Sequence, residues 1–235
     1  MYNHEDILIV GDSFCQHRKE GGWPFILTEM LTNNKSVPRG KGLGGASWWS
    51  TRKVLLKELK IKTPKILIIC HTEMNRIPND YDFGLNTASA IHDAENFNKG
   101  KLWGVDMINK NYDMYSKEIA QAAVLYYKYL NSSDFNLWAK NMWFKEVDDL
   151  CLNIEKTIHL HSFYDIAHEK IHAFKNGMTA EESLWDISDD KRMALLDFSP
   201  NNLNHFTVSN NKKIAKAIFD KINDYQTILT RFNFI

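Results

Sequence analysis

Two short apolar runs, Ile7-Leu8-Ile9-Val10 and Ile66-Leu67-Ile68-Ile69-Cys70, constrain the fold of this chain more than any other feature. Neither alternates polar with apolar residues, as a strand with one wet face would. Strands without a polar side belong to parallel sheets covered by helices on both faces. Helical stretches lie where such a sheet needs them. Trp23-Pro24 opens one, with proline at a first-turn position that needs no N–H and with Ile26, Leu27, Met30 and Leu31 on one face. Val37 is expected in a short second strand. Ser47 or Ser50 then caps a helix with the apolar stripe Val54, Leu55 and Leu59.

Further along, residues 112–130 and 134–154 carry Ile119, Ala122, Ala123, Tyr126, Trp138, Met142, Val147 and Leu150 at helical spacing. Thr157-Ile158-His159-Leu160-His161 reads as another strand. A last helix starts near Thr207 and buries Ile214, Ile218, Phe219 and Ile222. Strands alternating with helices imply an α/β fold with a parallel sheet. The 235 residues suit a single domain, 1–235, carrying an insertion at about 79–155. The polar, irregular start of that insertion has the length of a functional loop, such as a substrate lid.

Lys+Arg and Asp+Glu both number 29, so the formal net charge is zero. Nucleic acid is therefore not the expected main partner, because neutralising phosphates takes a basic excess. No apolar run approaches the ~20 residues that span a bilayer. The opening MYNHED lacks the basic start and long apolar stretch of a signal peptide, which points to a cytoplasmic protein with no membrane partner. Cys15, Cys70 and Cys151 form no CxxC pair and read as reduced, buried thiols.

Ligands of open parallel sheets bind at the carboxyl ends of the strands, and three features converge there. Ser13 follows the first strand, Gly44-Gly45 lies on the loop after the second, and His205 stands just before the last helix. A serine hydroxyl becomes an effective nucleophile when an imidazole takes its proton. A tetrahedral oxyanion needs N–H donors already in place, and a glycine N–H can approach a substrate with no side chain in the way. Trp48-Trp49 suits the core and a ligand-stacking wall equally well.

Ile-Val-Gly-Asp-Ser at residues 9–13, Gly-Leu-Gly-Gly-Ala-Ser at 42–47 and Asn-His-Phe-Thr at 204–207 resemble the SGNH (GDSL-like) hydrolase family, in that family's order and over most of the chain. The style of the motifs and the long helical insertion are most similar to members encoded by large bacteriophages, which would place the protein in host cytoplasm. The resemblance implies a three-layer αβα (flavodoxin-like) fold and a serine esterase without cofactor or metal. It implies Ser13 as nucleophile and oxyanion donor, Gly45 or its neighbour Gly44 as a second donor, and His205 as general base. The expected substrate is a small-molecule or carbohydrate acyl ester.

Two segments depart from the family pattern. Where it has Gly-x-Asn-Asp, this chain reads Thr72-Glu73-Met74-Asn75-Arg76, so either Asn75 supplies a donor from a shifted position or Glu73 fills the space. Where it has Asp three residues before the histidine, this chain has Asn202. The imidazole is then oriented by Asn202, by a backbone carbonyl or by Asp197, in a dyad or a modified triad. The alternatives are acyl transfer by the same machinery and a catalytically impaired scaffold serving as a binding or virion module. A third comes from His168-Glu169-Lys170-Ile171-His172, which matches the HExxH pattern of zinc peptidases. Its charged surroundings and the lack of a distinctively spaced third ligand favour a solvated helix. His159 and His161, two apart on a strand, share a face, where they line the site edge or are buried and hydrogen-bonded.

Overall fold

The structure is a computed structural model that describes residues 2–16, 20–76, 78, 116–163, 173–180, 183–184 and 206–232. Among these, a parallel sheet runs in the order β1 (Ile7–Gly11), β2 (Ile66–His71), β3 (Lys156–His161) and β4 (Met178–Thr179). Its register places Ile7 beside Ile66 and Ile66 beside Lys156. The helices are α1 (Trp23–Thr32), α2 (Trp48–Ile61), α3 (Ser116–Tyr129), α4 (Ser133–Cys151) and α5 (Val208–Phe232).

The two apolar runs are buried throughout, and each face of them feeds a different core. Ile7, Ile9, Ile66 and Ile68, with Ile158 and Leu160 of β3, pack against Trp23, Leu27 and Leu31 of α1 and Ile214, Ile218 and Ile222 of α5. Leu8, Val10, Leu67 and Ile69 point the other way, to Leu55 of α2 and Trp143, Phe144, Val147 and Cys151 of α4. Each fully buried Ile or Leu contributes roughly 1.5–3 kcal/mol of apolar transfer. This two-sided demand is the physical reason that residues 7–10 of β1 and 66–70 of β2 contain no polar side chain. Bidentate contacts of 2.6 Å from Arg52 Nε and Nη2 to the Glu146 carboxylate tie α2 to α4 at the half-exposed rim.

Two sequence expectations are corrected. Pairing on the free edge of β1 begins at Arg39, not at Val37. The Arg39 N–H donates to Ile7 O at 2.9 Å and its carbonyl accepts from Ile9 N–H at 3.0 Å, while Val37 is exposed. The buried face of α4 is rotated from the expected stripe: Trp138 is exposed, and Ala139, Trp143, Phe144, Val147 and Cys151 face the sheet. Polar Asn136 and Lys140 are buried within that face and hide it from a hydropathy reading. α4 immediately precedes β3 and packs on the sheet, while the start of the expected 79–155 insertion lies outside the described residues.

Candidate active site

β1 runs straight into a one-turn 3-10 helix, Ser13–Cys15, capped by the Asp12 side chain. Asp12 Oδ1 accepts from Phe14 N–H at 3.0 Å and from the Ser162 hydroxyl, just past β3, at 2.9 Å. Asp12 and Phe14 are fully buried, but Ser13 between them is half-buried and reaches the surface. Cys15 in the same turn is no competitor as nucleophile. Burial pushes its thiol, and that of Cys70 beside it, above the ordinary value, so both stay protonated near neutrality.

The glycine loop docks on this turn. Leu43 N–H donates to Gly11 O at 3.0 Å. Gly42 lies so close that a Cβ there would sit 2.4 Å from Asp12 O and 2.5 Å from the Cys15 carbonyl carbon. Gly45 has φ +67°, a left-handed conformation that glycine adopts at no steric cost. Among the described residues, the N–H groups of Ser13, Gly44 and Gly45 donate to no protein group, and Gly44 and Gly45 are half-buried. Among the described residues, three backbone donors without protein partners thus lie on the Ser13 turn and on the glycine loop docked against it. Such an arrangement can receive a developing oxyanion.

His205, Asn202 and Asp197 lie outside the described residues, as do His168, Glu169 and His172. The residue after His205 is described. Phe206 is buried with its ring 5.3 Å from that of Phe14, the residue after Ser13, in an edge-on contact. Asn211 of α5 fastens the same region, accepting from Trp23 N–H at 2.8 Å and donating to Phe206 O at 3.1 Å. The Trp23 indole N–H in turn donates to Phe14 O at 2.6 Å. The chain entering α5 is therefore packed against the Ser13 turn. A buried aromatic pair of this geometry is worth roughly 0.5–1.5 kcal/mol beyond its area. A double-mutant cycle of Phe14→Leu and Phe206→Leu, read by urea unfolding, should return a coupling of about 1 kcal/mol. Strict additivity would separate the two segments.

Asn75 is exposed, and its side-chain oxygen accepts from Asn136 Nδ2 of α4 at 3.4 Å, with its carbonyl taking the Tyr127 hydroxyl. Glu73 accepts from Arg76 Nε at 2.9 Å. Sequence reasoning passed over Arg76, yet its guanidinium is buried, with Nη1 donating to Ala46 O at 3.1 Å and standing 3.9 Å from Asp12 Oδ2. Its spacing of three from Glu73 was the one available signal; nothing in the sequence pointed to Ser162. Trp48 leans on the core while Trp49 meets it edge-on and lies under Arg52.

His159 and His161 share a face, both buried, and His71 of β2 joins them. His159 Nε2 lies 2.9 Å from Asn176 O, so that nitrogen carries the proton and donates it. Its Nδ1 then accepts from His71 Nε2–H at 3.1 Å. The chain of donors requires the His159 ring to be neutral. Burial, followed by the neighbouring histidines, pushes His71 well below its usual value, and burial brings His159 down from 6.5 to about 4. An unfolded histidine takes up its proton near pH 6.5, whereas folded His159 does so only near 4. Between these values the unfolded chain binds more protons, so stability falls as pH falls. We expect a loss of about 3 kcal/mol from this group between about pH 6.5 and 4, with His71 adding to it. Urea midpoints across that range measure the effect; a midpoint independent of pH would mean the rings are charged or exposed.

Among the described residues, no group of three or more His, Cys, Asp or Glu side chains is placed to hold a metal ion, and no helix is long and apolar enough to cross a membrane. No protein-family model matches the chain, and neither a curated protein nor a solved structure gives a match.

Proposed function

We propose that the protein is a serine esterase of the SGNH type, with a three-layer, flavodoxin-like fold. The observation that carries this reading is the docking of the glycine loop on the turn that holds the half-buried Ser13; among the described residues, the N–H groups of Ser13, Gly44 and Gly45 have no protein partner. Further support comes from the edge-to-core order, in which the segment at Arg39–Gly42 flanks β1 and is followed by β2, β3 and β4. That order corresponds to 2-1-3-4-5, the flavodoxin-like winding, whose ligands sit at the carboxyl edge. The contact of Phe206 with Phe14 sets the residue that follows His205 in the chain against the Ser13 turn.

In this mechanism the His205 imidazole takes the Ser13 proton as the hydroxyl attacks an ester carbonyl, and the N–H groups of Ser13 and Gly45 receive the oxyanion. Asn202 or Asp197 orients the imidazole. The protonated imidazole then gives its proton to the departing alcohol, and water releases the acyl group from Ser13 by the reverse sequence. The substrate class is a small acyl ester, an acetylated carbohydrate among them. The test is a fluorophosphonate probe followed by peptide mass mapping. A single adduct on the peptide containing Ser13 is expected, and an adduct elsewhere, or none, contradicts the assignment. Product analysis with an added alcohol separates hydrolysis from acyl transfer.

A further inference from the structure

Four loops leave the carboxyl edge of the sheet near Ser13, and one side chain touches or faces residues from all of them. Arg76, on the loop after β2, donates through Nη1 to the carbonyl of Ala46, the residue that follows Gly45, at 3.1 Å. Its Nε donates to Glu73 Oε1 at 2.9 Å. The same Nη1 stands 3.9 Å from Asp12 Oδ2, the oxygen of that buried carboxylate that has no hydrogen-bond partner among the described residues. The guanidinium carbon lies 5.4 Å over the ring of Phe163, just past β3. Asp12 completes the network by accepting from Phe14 N–H and from the Ser162 hydroxyl.

We propose that Arg76 is a positioning residue of the site, holding the glycine loop and the Ser13 turn in fixed relation through Ala46 and Asp12. This rests on the esterase reading above. The guanidinium is suited to the task because its planar fork sends donors in several fixed directions at once. A lysine has one ammonium and cannot meet Ala46 O, Glu73 and Asp12 together. Arg76 acts through the two loops and touches no reacting atom. Its loss lets the Gly45 N–H drift relative to the Ser13 hydroxyl, and a misplacement of about 1 Å at such a site costs on the order of 10²-fold in rate.

The experiment compares wild type, Arg76→Lys, Arg76→Ala and Asp12→Asn by p-nitrophenyl acetate turnover and by the rate of fluorophosphonate labelling at Ser13. Arg76→Lys and Arg76→Ala should lose roughly 10²-fold in kcat with KM changed by less than about threefold. Millimolar guanidinium chloride should restore a measurable part of the Arg76→Ala rate and leave Arg76→Lys unmoved. A purely structural role would not give that pattern. If Arg76→Ala fails to fold, Arg76→Lys decides: turnover and labelling within threefold of wild type overturn the positioning role. Labelled, active wild type with unchanged Arg76 variants removes Arg76 alone. Wild type that is neither labelled nor active removes the esterase reading, and the role of Arg76 with it.

Discussion

Ser13→Ala should reduce the turnover of p-nitrophenyl acetate by about 10⁴-fold or more, with folding unaffected. The size follows from what the hydroxyl does. Removing the nucleophile of a serine hydrolase eliminates the covalent path, leaving only the residual acceleration that oxyanion donors and binding supply. Folding should survive because Ser13 is half-buried and its hydroxyl holds no described residue. The turn is capped by Asp12 and tied down by Trp23, whose indole donates to Phe14 O. A matched urea midpoint therefore belongs with the activity measurement. If the variant keeps wild-type turnover, the nucleophile lies elsewhere.

Gly42→Ala should be strongly disruptive at the site. The new Cβ would stand 2.4 Å from Asp12 O, 2.5 Å from the Cys15 carbonyl carbon and 2.6 Å from Cys15 O. All three are backbone atoms, so no rotamer change relieves the overlap, and the glycine loop must lift off the Ser13 turn. Overpacking in a fixed backbone costs roughly 1–3 kcal/mol and at times more, and here two loops are displaced together. We expect roughly 3 kcal/mol, which lowers the melting temperature by about 10 °C for a chain of this size. Below that temperature the variant stays folded but should label slowly with fluorophosphonate. Normal labelling with lowered stability would show that the glycine loop supplies no oxyanion donor. Gly44 provides the contrast, because among the described residues a Cβ there meets the end of the flexible Gln16 side chain, 3.1 Å away.

The sheet was legible in the sequence to the extent that burial was two-sided. β1 and β2 fill both cores, so residues 7–10 and 66–70 carry only apolar side chains, and the expected strands agree with them to within one residue. β3 was legible despite two histidines, because Ile158 and Leu160 alternate with them toward the core that α1 and α5 share. β4 was not, since two residues, Met178 and Thr179, carry no periodicity. The face of α4 was misjudged because Lys140 is buried in it, lying over the ring of Phe144. A positive charge reads as solvent-facing in any hydropathy scale, and only the tertiary partner reverses that reading.

The candidate site divides along the same line. Gly-Asp-Ser and the glycine loop announce themselves because turn geometry and close backbone approach restrict residue type locally. The placement of Arg76 and Ser162 depends on where distant loops meet, which leaves no local trace. The docking of Phe206 on Phe14 joins residues far apart in the chain, and its only sequence signal was an aromatic just before a helix.

The most direct measurement is the kcat of Ser13→Ala, His205→Ala and the double variant on one ester. Residues that act as a unit are non-additive, so removing either should cost about as much as removing both. All three variants should fall to the same residual rate within about threefold. If His205→Ala keeps wild-type turnover while Ser13→Ala loses it, the imidazole near the end of the chain does not serve the hydroxyl near its beginning, and the proposed mechanism is contradicted.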